Sequence, residues 1–305
     1  MMQKIIVKKY DLKVMGLIRI SPRLYKVKTA KLFYYLKIVD DKYLEDIYHY
    51  LQSLHLKYFV EIIKNNDNNY LTAYLNNYFY IMPCLRNDAK LTKEVKIKKY
   101  YQILAYLHQN TFITKLKDDS YFIKEKNKFI DLIDDREKYY NYCMEKVEFQ
   151  RYKSPALWML VLNYYEINNC LQQAREYVFN YYEMMINKKE IRLSMVYYNY
   201  DLNHLFFNEN KLIGIDKIKE DSCIYDLLVI LQSDDLCEAI TLLDVYIDRI
   251  ELLKEEKVLL AIYLYIIPKV KIIDDEKNNI DRMAKLLCYM NGLNKIIEKL
   301  KIDGD

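Results

Sequence analysis

The chain has 305 residues, with 47 Lys plus Arg against 43 Asp plus Glu, and so a formal net charge of +4. Hydrophobic residues make up 52% and charged residues 30% of the chain, a composition that excludes a disordered protein and indicates one or two folded domains. A charge this small over this length also argues against a nucleic-acid partner.

Glycine is scarce, and its positions exclude one class of site. The glycines are Gly16, Gly214, Gly292 and Gly304. None lies between Gly16 and Gly214, which excludes a Gly-rich phosphate loop such as a Walker A motif in that stretch. The scarcity also favours helices over tight turns, because glycine adopts positive φ most readily.

The cysteines and the apolar runs bear on the compartment. Six cysteines are present without any CxxC pair, and the N-terminal stretch lacks the apolar segment of a signal peptide. The longest uncharged apolar run, 258–267, is followed by Pro268 and is too short to cross a bilayer. We therefore expect a soluble cytoplasmic protein with reduced cysteines and no membrane partner.

The first ninety residues show strand patterns around one helix. Period-two alternation over 24–29 and again over 32–39 predicts a β-hairpin. Asp40 and Asp41 then predict the start of a helix, because a carboxylate caps the first amide groups and suits the helix dipole. The apolar face of this helix has the spacing of an amphipathic helix and comprises Leu44, Ile47, Tyr48, Leu51 and Leu54.

A second hairpin is predicted directly after this helix. Its strands are 70–75 and 78–82, and Asn76 and Asn77 are placed at the turn because asparagine tolerates the left-handed conformation. The N-terminal segment is therefore predicted as strand, strand, helix, strand, strand.

Helical patterns dominate the remainder. Helices are predicted over 92–110, 121–150, 155–187, 234–252, 255–272 and 275–300. Short strand-like runs interrupt them at 192–198, 205–207 and 212–215. A β-rich part followed by a helical part is typical of an α+β protein. We predict a β-rich N-terminal lobe over 1–85 and a helical C-terminal lobe over 86–305, with a small embedded β region at about 192–216.

This order, with a lysine near the end of a strand and a helix directly after it, resembles a protein-kinase-like fold. Three segments resemble the spore-coat-associated, CotS-type branch of the aminoglycoside phosphotransferase-like kinases. SPRLYKVKTAKLFYYLKIV resembles the opening hairpin, YYQILAYLHQNTF the first large-lobe helix, and NHLFFNENKLIGIDKIKEDSCIYDL the catalytic strand pair. The resemblance implies two lobes, a small antiparallel sheet with a helix and a large, mainly α-helical lobe.

The resemblance assigns roles to residues in the N-terminal lobe. Lys37, at the end of its strand, would contact the α- and β-phosphates of ATP. Glu45, in the following helix, would hold Lys37 by a charge-assisted hydrogen bond. Asp46 is the alternative partner for Lys37.

It also assigns an acidic residue after a later strand. Asp216 follows Leu212-Ile213-Gly214-Ile215 and would bind Mg²⁺, as the Asp of the family's Ile-Asp motif does. Asp226, in the run CIYDL, would open the next helix in the family's order.

The catalytic loop departs from the family's H-x-D-x-x-x-x-N pattern. Placing Asn203 at the metal-binding Asn position puts Tyr198 at the base position. Taking Asp201 as the base instead puts Phe206 at the Asn position. No ungapped alignment supplies both groups, so either the loop is shortened and Asp201 and Asn203 both serve, or the base has been lost.

The loop therefore predicts an impaired site. A tyrosine, with a pKa of about 10, is a poor base at neutral pH, and phenylalanine cannot bind Mg²⁺. We interpret the chain as a pseudokinase in which Asp201 is the candidate catalytic residue and Asn203 joins Asp216 as a candidate metal ligand. His204, beside Asn203, is a candidate for either a structural or a ligand role.

Three function classes remain open. The first is a kinase-shaped binding module of spore-coat type, with a small molecule or a protein, such as a spore-coat protein, bound in the interlobe cleft. The second is an active phosphotransferase for an aminoglycoside, choline or sugar, using ATP and Mg²⁺. The third is a helical interaction protein without kinase ancestry, which predicts no antiparallel sheet near the N-terminus.

Overall fold

The computed structural model describes residues 2–86 and 90–302. They form two compact units, of which unit 1 comprises Met1–Asn110 and Tyr197–Lys219 and unit 2 comprises Thr111–Val196 and Glu220–Asp305. The predicted lobe boundary at residue 85 stays a prediction.

Short strands dominate the first part of the chain and long helices the remainder. The strands are Val14–Ser21 (β1), Leu24–Thr29 (β2), Phe33–Val39 (β3), Thr72–Tyr74 (β4), Asn77–Pro83 (β5), Ile113–Leu116 (β6), Glu190–Val196 (β7), Leu205–Phe206 (β8), Lys211–Leu212 (β9) and Lys219–Asp221 (β10). The helices are Met2–Tyr10 (α1), Tyr43–Ser53 (α2), Lys93–Thr111 (α3), Asp119–Glu148 (α4), Pro155–Lys188 (α5), Ile224–Leu231 (α6), Leu236–Thr241 (α7), Asp244–Ile247 (α8), Lys254–Tyr265 (α9) and Glu276–Leu300 (α10).

Unit 1 is built on a five-stranded antiparallel sheet with strand order β1-β2-β3-β5-β4. A small antiparallel sheet with a helix, followed by a mainly helical part, confirms the predicted fold class. Helix α1 and strand β1 were not predicted. Strand β1 has no alternation to detect, because its side chains are half-buried or exposed along its whole length.

Alternate strand residues and α1 form the core on one face of this sheet. Ile6 of α1 packs with Val27, Leu36, Phe79 and Ile81 of the strands, and all five side chains are fully buried. The period-two pattern of β2 and β3 is therefore the pattern of a sheet with one buried face.

Helix α2 lies where the apolar face predicted it. The Asp41 carboxylate accepts a hydrogen bond from the Tyr43 amide at 2.8 Å, and Leu44, Ile47, Tyr48 and Leu51 are buried. Residue 54 follows the helix and is only half-buried.

The second hairpin has its turn one residue earlier than predicted. Tyr74 pairs with Asn77, so Leu75 and Asn76 form the two-residue loop and Asn77 belongs to β5. Leu75, with φ of 54°, adopts the left-handed conformation that was expected of asparagine. The strand pairing therefore overrides the local preference of the residues.

Unit 2 consists mainly of long helices packed side by side. Helix α5 packs along α4 and α9, and α10 packs against α5 and α7. Strand β7 pairs with β6 through Ile113 and Leu193 and lies between β6 and β10. Strand β7 of this unit and strands β8 and β9 of unit 1 correspond to the three predicted strand-like runs.

Two predicted helices of this unit are shorter than expected. The helix predicted over 255–272 ends at Tyr265. Pro268 stops it, because proline lacks an amide hydrogen and disfavours helical geometry in the residue before it. The range 234–252 is divided into α7 and α8. Its buried residues Ile240, Leu243 and Tyr246 are three apart, and the Tyr246 amide accordingly bonds the Leu243 carbonyl at 2.9 Å, as in a 3₁₀ turn.

A buried charge pair joins β7 to the start of α9. The Arg192 Nε donates to Oε1 of Glu256 at 2.9 Å and a terminal nitrogen of Arg192 donates to Oε2 at 2.5 Å. Glu256 is buried, and its carboxylate also accepts the Leu253 amide at 2.9 Å. Beside it, Lys188 forms an ion pair with Glu255. The helix start is thereby tied to the strand.

Across the described parts of the chain, every helix is either too short or too polar to cross a membrane.

We expect Arg192→Met to lower the free energy of unfolding by about 2–4 kcal/mol, because it leaves the Glu256 carboxylate buried without its cation. Urea denaturation followed by circular dichroism measures this. Lys299→Met is the matched control, since Lys299 pairs with the half-exposed Asp244 and an exposed pair contributes less than about 1 kcal/mol. Equal losses in the two variants would contradict a structural role for the Arg192–Glu256 pair.

Candidate functional site

The structure brings together two of the predicted site residues, Lys37 and Asp216. The Lys37 Nζ lies 2.5 Å from Oδ1 of Asp216, although the two residues are 179 positions apart in the chain. Their side chains are 26% and 20% exposed, so the pair is partly screened from water but open to a ligand. The lysine of β3 and the carboxylate of the later loop therefore form one ion pair within unit 1.

Asp216 reaches this position through strand β9. The Val60 amide donates to the Leu212 carbonyl at 2.9 Å, and the Leu212 amide donates to the Tyr58 carbonyl at 2.7 Å. The chain then continues through Gly214, which has φ of 80°, into a single 3₁₀ turn, Ile215–Lys217. Since backbone bonds fix β9, the carboxylate four residues later has little freedom.

The loop that precedes β8 is bonded to the same turn. The Tyr197 hydroxyl donates to the Ile213 carbonyl. The Asn199 Nδ2 lies 3.3 Å from the Gly214 carbonyl oxygen and 3.1 Å from Nδ1 of His204. The Tyr100 hydroxyl of α3 donates to the Asn199 carbonyl at 3.0 Å. These bonds hold the loop 197–204 and the turn before Asp216 as one assembly.

The predicted loop residues occupy different surroundings. Asp201 Oδ1 accepts the Asn203 amide at 2.8 Å and so caps the 3₁₀ turn, while its Oδ2 lies 3.7 Å from Nε2 of His204. The Asp201 side chain is 42% exposed. Asn203 is exposed. Asp201 and Asn203 are thus neighbours through the backbone of one turn.

His204 of this loop is close enough to Lys37 and Asp216 for their charges to affect its pKa. Burial lowers the pKa of His204, Asp201 opposes this, and the positive charge of Lys37 lowers the pKa further. The imidazole is therefore neutral at neutral pH. Because Asn199 donates to Nδ1, the hydrogen of the neutral ring is on Nε2, which faces Asp201. The sequence alone had left open whether His204 has a structural role or binds a ligand.

Glu45 does not bond Lys37 in this structure, contrary to the expectation from the resemblance. Its two carboxylate oxygens accept the amides of Tyr70 and Leu71, each at 2.6 Å, and Nε2 of His49 lies 3.4 Å away. Glu45 therefore joins α2 to the start of the second hairpin. A role for Glu45 in cofactor binding stays a prediction.

The helical period explains this outcome. Leu44 and Ile47 line the cavity that contains Lys37, whereas Glu45 and Asp46 line a separate cavity on the other side of α2. A carboxylate one position after Leu44 is about 100° further around the helix, which turns it away from β3. Asp46, the alternative partner, is exposed on that other side.

The Lys37–Asp216 pair lies in a cavity of about 470 Å³, lined entirely by residues of unit 1. Arg23, in the turn between β1 and β2, lies at this cavity and donates to Oδ2 of Asp40 at 2.7 Å. Lys37, Arg23 and Lys217 are cations that can attract phosphate oxygens, and Asp216 is a carboxylate that can hold a divalent cation.

A complete metal site is absent from the described residues, in which no three His, Cys, Asp or Glu side chains are close enough to bind one ion. Mg²⁺ is commonly held by one or two carboxylates together with the phosphates of its ligand. Asp216 fits such a site, and a role for Asn203 as a second ligand stays a prediction.

Comparisons with known proteins agree with this architecture. No family model matches the sequence, and no curated protein matches it. Among solved structures, an aminoglycoside phosphotransferase from Alicyclobacillus acidocaldarius superimposes with a TM-score of 0.67 at 13% identity, covering 97% of this chain and 94% of that one. At this identity the likeness shows the fold.

Spectinomycin phosphotransferase APH(9)-Ia has the same fold. Its AMP-bound complex superimposes with a TM-score of 0.58 at 10% identity, covering 96% of each chain. Its complex with ADP and spectinomycin gives a TM-score of 0.54 at 12% identity, covering 97% of this chain and 92% of that one. This chain therefore has the aminoglycoside phosphotransferase-like, kinase-like fold.

We expect Glu45→Ala to lower the free energy of unfolding by about 3 kcal/mol, because two buried backbone amides lose charged acceptors worth about 1.5–3 kcal/mol each. Urea denaturation measures the change. Asp46→Ala, on the next and exposed position, should change it by less than about 0.5 kcal/mol. If Glu45→Ala left the free energy of unfolding unchanged, Glu45 would not connect α2 to the second hairpin.

We expect Gly214→Ala to destabilise the loop assembly by about 2–4 kcal/mol, through positive-φ strain and lost hydrogen bonds. A Cβ at residue 214 would clash with Nδ2 of Asn199, and φ is 80°. Gly16→Ala is the control, because its Cβ would meet no atom within 4 Å. Hydrogen exchange of the amides in 197–206 should rise in the first variant only, and unchanged exchange would contradict the assembly.

Proposed function

We propose that this protein binds a nucleoside triphosphate with Mg²⁺ in the Lys37–Asp216 cavity and is a kinase-like binding module whose phosphoryl transfer is impaired. The observation that carries the proposal is the 2.5 Å contact between Lys37 and Asp216 in a fold of the phosphotransferase type. A lysine and a carboxylate at one point are the two charges that a phosphate–magnesium ligand requires.

Each residue of the pair has a role in binding. On ligand entry, the Lys37 ammonium exchanges the Asp216 carboxylate for phosphate oxygens, and Asp216 becomes free to hold the cation. Bound Mg²⁺ neutralises charge on the phosphates. Arg23 lies in a short turn without glycine. By exchanging Asp40 for phosphate, its guanidinium would serve where the backbone amides of a Gly-rich loop otherwise do.

The impairment is inferred from the loop before β8. His204, the other candidate ligand of this loop, offers a nitrogen atom, and Mg²⁺ prefers oxygen ligands to imidazole. Asn203 is exposed, and Phe206 has no ligand atom. Asp201 is engaged as the cap of its own turn. With no second metal ligand from this loop and with Asp201 engaged as a cap, we expect slow or absent transfer.

The biological setting is part of the same proposal. We infer from the resemblance that the protein is bacterial and cytoplasmic or associated with the spore coat, with a small molecule or a spore-coat protein as partner. Neither partner is required for the nucleotide-binding test below.

A second candidate is an active small-molecule phosphotransferase, and the exposure of Asp201 favours it. Its Oδ2 is not used by the cap, so the carboxylate can accept the proton of an acceptor hydroxyl. The hydroxyl oxygen would then form a bond to the γ-phosphorus as the bond to the β-phosphate oxygen breaks. The neutral His204 beside Asp201 would hold that carboxylate in place.

We expect calorimetry to detect ATP binding that requires Mg²⁺ and that weakens about tenfold to a hundredfold in Lys37→Ala and in Asp216→Ala. Lys28→Ala and Glu209→Gln are matched controls, because both side chains are exposed and outside the cavity. Absence of heat at millimolar ATP would overturn the nucleotide site.

Turnover separates the two candidates. Parent protein and Asp201→Asn are incubated with ATP, Mg²⁺ and spectinomycin, an aminoglycoside or choline, and the phosphorylated product is measured by mass spectrometry. We expect no product above background from either protein. Product from the parent that Asp201→Asn abolishes would establish the phosphotransferase instead.

A further inference from the structure

Unit 2 contains a cavity of about 1140 Å³, more than twice the volume of the Lys37–Asp216 cavity. Its walls come from α4, the start of α7, the end of α9 and the middle of α10, so all its lining residues belong to unit 2. We name it the α9–α10 cavity. Its volume slightly exceeds the range of about 300–1,000 Å³ that is typical of small-molecule pockets, so a small molecule has room to bind.

Part of the lining of this cavity is apolar, and we call this part the apolar wall. Its large side chains are Leu132, Leu236, Tyr263, Ile266, Leu286 and Tyr289. The segment after α9 that completes the wall is fixed to α4, since the Tyr139 hydroxyl donates to the Val270 carbonyl at 2.7 Å and the Tyr140 hydroxyl donates to the Pro268 carbonyl at 2.5 Å. The wall is therefore built into the fold, and an apolar chain could bury its surface against it.

The lining also includes cations that differ in how they are neutralised. Lys269 is 2.7 Å from Oδ1 of Asp135, and Lys285 is 3.1 Å from Oδ1 of Asp234. These lysines already have carboxylate partners, and so they contribute little net attraction for an anion.

Arg282 and Lys271 are different. The Arg282 guanidinium donates to the backbone carbonyl of Lys271 at 2.6 Å, which holds it at the cavity beside that residue. Within 2–86 and 90–302, neither cation forms an ion pair with a carboxylate. Two uncompensated positive charges therefore lie beside an apolar wall, an arrangement complementary to an anion that has an apolar chain.

We propose that the α9–α10 cavity binds a fatty-acid carboxylate, with the head group on Arg282 and Lys271 and the chain along the apolar wall. The carboxylate accepts charge-assisted hydrogen bonds from the guanidinium and the ammonium. The chain covers leucine, isoleucine and tyrosine side chains from four helices. This site is independent of the nucleotide proposal, because it shares no residue with the Lys37–Asp216 cavity.

The protein's own cysteines report occupancy. Cys237 and Cys288 are exposed and line this cavity, whereas Cys84, Cys143 and Cys170 are half-buried and lie outside it. Dodecanoate, kept below its micelle concentration, should slow alkylation of Cys237 and Cys288 by iodoacetamide at least threefold. Mass spectrometry of the labelled peptides measures each cysteine separately, and the three half-buried thiols should keep their rates.

Three comparisons test the parts of the ligand. Protection should strengthen roughly tenfold with each two-carbon extension from octanoate to dodecanoate, as expected for burial of methylene groups. Inorganic phosphate, which is a head group without a chain, should not protect. Dodecyltrimethylammonium, with the same chain and the opposite charge, should protect at least tenfold more weakly than dodecanoate.

Variants test the head-group site. Arg282→Gln and, independently, the exposed Lys271→Gln should each weaken dodecanoate binding about tenfold, while Arg249→Gln, an equal charge change outside the cavity, should not. Lys271→Gln keeps the test valid if Arg282→Gln fails to fold. The proposal is overturned if dodecanoate gives no protection, if the cationic surfactant protects equally, or if Lys271→Gln binds like Arg249→Gln.

Discussion

Backbone hydrogen bonds between Leu212 and the segment around Tyr58 and Val60 connect the late part of unit 1 to its first hundred residues, and the candidate site depends on them. They hold strand β9 in place, and β9 leads through one glycine turn to Asp216. The lysine of β3 is placed separately, by pairing of that strand with β2 and β5. The ion pair between Lys37 and Asp216 is the point at which these two supports meet. A shift of either support would separate the charges.

The charges around this pair are balanced without any ligand. Lys37 neutralises Asp216, and burial keeps His204 uncharged beside Asp201. A phosphate–magnesium ligand would replace the Lys37–Asp216 ion pair with two ion pairs. The Lys37 ammonium would pair with a phosphate and the Asp216 carboxylate with the Mg²⁺ ion. Such an exchange needs little reorganisation of the surrounding fold, since the loop 197–204 is already bonded to the turn at Gly214. This is the physical basis of the nucleotide binding that we propose for the cavity.

Particular elements show how far sequence patterns could predict this molecule. The face of α2 was predictable, because burial of every third or fourth residue leaves a clear period in the sequence. The expected bond from Glu45 to Lys37 is not present, because the Glu45 carboxylate accepts the amides of Tyr70 and Leu71. No local sequence pattern predicts these two bonds. The turn of the second hairpin was displaced by one residue, because strand register and not asparagine preference decided which residues form it.

The sequence by itself determined most of the order of strands and helices, the apolar faces that bury them, and the absence of a Gly-rich phosphate loop between residues 16 and 214. Those properties follow from local periodicity and from residue type. Tertiary structure alone decided which carboxylate Lys37 contacts, that Asn203 is exposed while His204 senses the ion pair, and that Arg282 and Lys271 lie uncompensated at an apolar wall. Each of these is a contact between groups distant in the chain or a matter of orientation, and both depend on packing that no local pattern encodes.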